Sequence, residues 1–191
     1  VTLAAPNATP ASTSLRLAWG ARVSTEFAQG VLGICRDFGW GREHPSWLMS
    51  CMAFESGETF SAQVRNAAGS GAVGLIQFMP ATAASLGTTV ENLELLRPES
   101  QLYYVGEHFR RYAPRIHSLS DMYMAILLPK YIGQPDDALL FSGGVAYRQN
   151  AGLDANHDGK VTKLEATARV AAKLQRGLLP GFSADYCWTS A

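Results

Sequence analysis

Glu55 is the first residue whose setting could do chemistry. It ends an apolar run, Trp47-Leu48-Met49-Ser50-Cys51-Met52-Ala53-Phe54, and precedes Ser56 and a helix-breaking Gly57. If Pro45 to Glu55 is helical, Glu55 shares a face with Leu48, Cys51 and Met52, seven, four and three positions back. A carboxyl among such neighbours loses solvation and its pKa rises, which is what a general acid near neutral pH requires. A Glu at a helix end is otherwise commonly a solvated or paired surface group. Glu58, cut off from the helix by Gly57, reads as the solvent-facing alternative.

A second oxygen-rich set lies near the C-terminal end. Asp154-Ala155-Asn156-His157-Asp158-Gly159-Lys160-Val161-Thr162-Lys163-Leu164-Glu165 meets every position of the EF-hand pattern D-x-[DN]-x-[DN]-G-x₅-E. Asp154, Asn156 and Asp158 offer side-chain oxygens, Lys160 a backbone carbonyl, Thr162 a contact through water, and Glu165 both carboxylate oxygens. Hard oxygen donors at this spacing favour Ca2+ over zinc or copper. EF-hands that sense calcium come in pairs, and a single loop points to a structural ion. A metal-free Asp/Asn/Gly surface turn is the plainer alternative.

The elements that must position these groups are mostly helices. Ser24 or Thr25 caps a helix through Phe38, and Pro45 suits the first turn of the next, to Glu55. Pro80 starts a short helix ending near Gly87, and Pro98-Glu99 opens one that ends before Pro114. Ser118 or Ser120 caps an apolar helix through Ile132, kinked at Pro129. Asp136-Asp137 begins a short turn to Phe141. From Thr162 a strongly helical stretch runs to Gly177. No stretch shows sustained strand alternation, although a hairpin between Phe60 and Gly74 is compatible with the pattern. Tyr103, Tyr104 and Tyr123 could stack on sugars, but at helical spacing such rings also build cores.

Val1 to Ser14 carries no charge and is rich in Ala, Thr, Pro and Ser, so residues 1–20 read as a flexible leader or linker and 21–191 as one domain. No signal-peptide pattern is visible. Sixteen basic residues balance sixteen acidic ones, which gives nucleic-acid binding no electrostatic support. No apolar stretch is long enough to insert in a membrane. Three cysteines leave at least one without an internal partner; Cys35 and Cys51 could meet, or all could be buried thiols.

From Glu55-Ser56 to Gly71-Ala72-Val73-Gly74-Leu75-Ile76-Gln77-Phe78-Met79-Pro80-Ala81-Thr82-Ala83 the chain resembles the soluble lytic transglycosylases, relatives of goose-type lysozyme. Their motif reads Glu-Ser, then Gly-Ala-x-Gly-Leu-Met-Gln-x-Met-Pro-x-Thr-Ala, with Ile76 here in place of Met. The resemblance implies a lysozyme-like fold, which agrees with the mainly α pattern read above; the calcium loop 154–165 is expected from its own residue pattern near the C-terminal end. It implies that Glu55 is the catalytic acid/base and that Gln77 and Phe78 lie in a glycan groove. A third family motif, Ala-Tyr-Asn-Ala-Gly, has its counterpart in Ala146-Tyr147-Arg148-Gln149-Asn150-Ala151-Gly152, with two extra residues, which implies groove roles for Tyr147 and Asn150. The family's loop Ser aligns with Ala68, and Ser70 two positions later is its candidate substitute. A membrane-anchored branch of such enzymes also carries one EF-hand loop, inserted elsewhere.

The implied reaction is cleavage of the β-1,4 bond between N-acetylmuramic acid and N-acetylglucosamine. Either the sugar's own 6-hydroxyl closes a 1,6-anhydro ring, or water attacks as in a muramidase, usually with a second carboxylate about 5–9.5 Å away. Glu58, Glu107, Asp121 and Asp137 are available for that role. A catalytically silent wall-binding module is the reading of a different class. The expected chain is a monomer acting on peptidoglycan in a target bacterium's periplasm or wall. Delivery by phage or a contractile secretion system is expected, or a signal already removed; an antibacterial toxin would imply an immunity protein as partner.

Overall fold

The computed structural model describes residues 13–66 and 69–189. At its centre is α2 (His44–Glu55), whose Leu48, Met49, Ser50, Cys51, Met52 and Ala53 are all fully buried. A helix apolar around its whole circumference has no solvent face and belongs inside the core. Around it pack α1 (Thr25–Asp37), α6 (Leu119–Leu127) and α8 (Lys163–Gly177), and α1 packs in turn on α5 (Pro98–Arg110). Gly30 permits that last approach, since a Cβ there would stand 2.8 Å from Leu102. Two short helices, α3 (Pro80–Ser85) and α4 (Val90–Glu94), connect the loop after α2 to α5.

The helix starts follow their caps. Ser24 accepts from the Phe27 amide, Ser118 from Asp121 and Thr89 from Asn92, and proline occupies the first turns of α2, α3 and α5. The helix expected to continue through Ile132 with a kink instead ends at Leu127. Leu128 leaves the helical region at φ −157°, and a 3-10 turn, Pro129–Tyr131, follows. The Pro129 ring, without an N–H, terminates the helix rather than bending it.

Four short strands were not legible as alternation. β1 (Thr13–Leu17) pairs antiparallel with β4 (Ala184–Trp188), and β2 (Leu139–Ser142) pairs with β3 (Lys160–Thr162). The expected leader over 1–20 is therefore corrected for residues 13–20. Leu15, Leu17 and Ala18 are buried, and Trp19 is 1% exposed with its indole N–H donating to the Lys173 carbonyl at 3.0 Å. Residues 1–12 lie outside the described residues. In place of the hairpin between Phe60 and Gly74 there are two isolated bridges, Arg65 to Val73 and Val73 to Phe78.

Among the described residues one ion pair is buried on both sides. Lys163, at the start of α8, donates to Asp121 of α6 and to the Gln134 carbonyl, both at 2.7 Å, while Asp121 also accepts from the Gly133 amide at 2.7 Å. A lone buried ammonium would be costly; these partners satisfy it and tie α8 to α6. Cys35 and Cys51 are both buried free thiols, not a disulfide.

Candidate active site

Glu55 is the last residue of α2, and the chain turns sharply behind it. The Ser56 hydroxyl donates to the Met52 carbonyl (2.6 Å) and accepts from the Phe60 amide (3.0 Å), while Gly57, Glu58 and Phe60 all take positive φ. The carboxyl of Glu55 is left half-buried at the floor of a cleft of about 350 Å³. Phe54, Tyr123 and Leu127 form its apolar side, and Asn66, Gln149, Asn150 and Arg169 its polar side. Burial pushes the Glu55 carboxyl up to about 8. Tyr123 packs edge-on against Phe54, and burial first, then the neighbouring Glu55, raises its phenol well above its usual range. It is therefore a protonated donor at the acid's side.

A larger hollow, about 420 Å³, lies between α1 and α5. Of its three carboxylates, Asp37 is exposed, Glu99 accepts from Ser24 and Glu107 accepts from Arg110. The carboxyl raised by burial lies in the smaller cleft.

Other residues singled out in the sequence take different places. Glu58 is not solvent-facing; it is half-buried and ion-paired with Lys173 and Arg176 of α8. Asp121 is held by Lys163, Glu107 by Arg110, and Asp137 sits exposed in the turn before β2. None of them lines the cleft. Gln77, at φ 51°, donates its amide to the carbonyls of Val64 and Gly74, both at 3.0 Å. It shapes the loop and is absent from the cleft wall. Gly74 is required there, at φ 80°, because a Cβ would stand 2.3 Å from Gln101, whose own amide holds the loop from below.

Phe78 cannot be a groove residue. The bridge to Val73 turns its ring inward, where it is 1% exposed and packs edge-on against His108. Ser70 is exposed and accepts from the Ala72 amide, away from the cleft; Ala68 lies outside the described residues. Tyr147 is likewise corrected. It sits on α7 (Gly144–Asn150), where its hydroxyl donates to Asp154 Oδ2 at 2.7 Å, and the cleft receives Asn150 and Gln149 instead. The two inserted residues give the Tyr and the Asn different partners. Tyr103 is largely exposed on α5, whereas Tyr123 reaches the acid.

The loop 154–165 is closed by hydrogen bonds from its own backbone amides to its side-chain oxygens. Asp154 accepts from the amides of Asp158 (3.3 Å) and Gly159 (3.0 Å), Asn156 from Asp158, and Asp158 from Lys160, with Gly159 at φ 81° making the turn. Thr162 caps α8 reciprocally with Glu165, whose Oε2 accepts from both the amide and the hydroxyl of Thr162. Glu165 Oε1 is buried with no partner. Among the described residues no three His, Cys, Asp or Glu side chains cluster closely enough to hold an ion by themselves. The donors here are mixed, carboxylate with amide and backbone oxygen, and the orphaned Oε1 is an oxygen that a hard cation would satisfy. The residues fit calcium. The loop's strand, β3, finds its partner in β2 of the same chain, where a paired EF-hand would use a second loop.

No curated protein and no solved structure matches the chain. Residues 41–125 match the family model described as the Transglycosylase SLT domain, a segment that holds Glu55, the loop through Gln77, and Tyr123, and that ends before α7, the loop 154–165 and α8. Residues 41–125 are thus similar to the transglycosylase SLT domain, a family whose activity is lytic-transglycosylase-type cleavage of peptidoglycan.

Proposed function

We propose that the chain cuts the β-1,4 bond between N-acetylmuramic acid and N-acetylglucosamine as a lytic transglycosylase, with Glu55 acting twice. Its carboxyl first protonates the glycosidic oxygen; the bond from that oxygen to the muramic C1 breaks and the departing sugar leaves as an alcohol. The resulting carboxylate then takes the proton of the muramic 6-hydroxyl, whose oxygen bonds C1 and closes the 1,6-anhydro ring. Glu55 ends protonated as it began, and no water is consumed.

The observation that carries this reading is that Glu55, raised to about 8, is the only carboxylate among the described residues lining the cleft. A two-carboxylate hydrolase would have its second acid within that cleft. The test is a digest of purified wall read by mass spectrometry. Anhydro-muramic ends are expected; reducing ends one water heavier would favour the muramidase. Glu55→Gln should lower the rate by about 10²–10⁴-fold. Wall bound but never solubilised would leave only a binding module.

Asp154, Asn156, Asp158, Lys160 and Glu165 would hold Ca2+ as a structural ion that fixes the start of α8. Thr162, which caps Glu165, is best read as a support of that set. The place of action that goes with this reaction would be the periplasm or wall of a target bacterium, reached by phage, by a contractile secretion system, or through a signal already removed.

A further inference from the structure

Among the described residues, Arg169 is the one full positive charge on the wall of the Glu55 cleft, where the other lining groups are neutral apart from Glu55 itself. It stands on α8 one turn after Glu165, with its side chain donating to the carbonyl of Gly152, a neighbour in the same wall. That contact fixes the guanidinium without neutralising it. Arg65, Arg97, Arg110 and Arg176 each lie against a carboxylate, whereas Arg169 forms no ion pair with any described residue. Its field reaches Tyr123, yet Glu55 is raised by burial alone. Arg169 is therefore not the counter-ion of the catalytic acid, and it remains exposed.

A guanidinium held by one N–H and open on the rest of its fork is suited to bidentate capture of a carboxylate. The neutral amides of Asn66, Gln149 and Asn150 suit hydroxyl and acetamido groups, and those occur on every sugar of the strand. The anionic groups occur only on muramic residues, on the substituent at the 3-oxygen. We propose that Arg169 is a specificity-determining residue that binds a carboxylate of this substituent and so tells a muramic residue from plain N-acetylglucosamine. The inference rests on the peptidoglycan reading above. The carboxylate has two sources: the peptide stem where the stem is attached, or the lactyl group itself where the stem has been removed.

The test compares wild type, Arg169→Gln and Arg169→Lys on four walls: stem-bearing and amidase-stripped, each native and with its carboxylates converted to carboxamides. For wild type, conversion should lower kcat/KM roughly tenfold or more, mainly through KM, on the wall that carries the recognised carboxylate. Arg169→Gln should cut native wall at that lower rate and respond little to conversion, and Arg169→Lys should recover part of the difference. Unfolding midpoints of the variants, measured alongside, separate recognition from stability. The proposal is overturned if Arg169→Gln loses as large a factor on conversion as wild type, or if wild type loses none on either wall. A wild-type chain that cuts no wall at all overturns the peptidoglycan reading first, and this proposal with it.

Discussion

Glu55 holds its proton because α2 delivers it from inside the core to the floor of a cleft, and nothing charged compensates it there. Its pKa rises from the ordinary 4.5 to about 8, so between those values the folded state keeps a proton that the unfolded state has released. Stability must then fall as pH rises across that window, by an amount on the order of 4–5 kcal/mol when complete. Glu55→Gln, which cannot ionise, should lose less stability between pH 5 and pH 8 than wild type. Denaturant unfolding at several pH values measures the gap, and parallel curves for the two proteins would contradict the desolvated acid. The same group sets the activity profile: kcat/KM should decline above about pH 8 as the acid is lost. Glu55 was legible in the sequence because its neighbours at helical spacing are local. Arg169, Gln149 and Asn66 were not, since they come from three separate elements that only the fold brings together.

At the scale of elements, helices were readable wherever a cap, as in α1 and α8, or a first-turn proline, as in α2 and α5, marked the start. The strands were not, because each is only three to five residues long and its partner is distant in sequence for β1 and β4. The loop 154–165 was readable as a pattern, yet its connection to Tyr147 was hidden by the two-residue insertion, which made a groove tyrosine seem present. The loop ends in the cap of α8, and α8 carries Lys163, Arg169 and Lys173. An ion bound there would act on the cleft through the helix it starts. Calcium at a hundred times its Kd would add about 2.7 kcal/mol. For a chain of this size that corresponds to a Tm roughly 5–10 °C higher than in EDTA. Differential scanning calorimetry with and without chelator checks this, and Glu165→Gln should erase most of the difference. Equal Tm values with calcium and EDTA in the wild type would count against the ion.

At the scale of the whole molecule, the two ends of the described chain close on each other. β1 meets β4, and Trp19 follows β1 into a slot between Phe60, Phe182 and the end of α8, with ring centroids 5.9 Å from Phe60 and 5.3 Å from Phe182. The slot exists because residue 177 is glycine: a Cβ there would lie 2.3 Å from the indole nitrogen and 2.4 Å from Cδ1. The Trp19 amide also donates to the Gly177 carbonyl at 2.9 Å, so the indole and the backbone fix the same point of α8. Removing the indole by Trp19→Ala leaves a large cavity and should cost about 3–5 kcal/mol. Gly177→Ala overpacks the same slot and should cost about 1–3 kcal/mol. Because both act on one contact, the double variant should cost less than the two changes added together: with the indole gone, the new methyl has nothing to strike. Guanidinium unfolding of the four proteins measures the coupling. Strict additivity would mean that Trp19 and Gly177 do not share this slot.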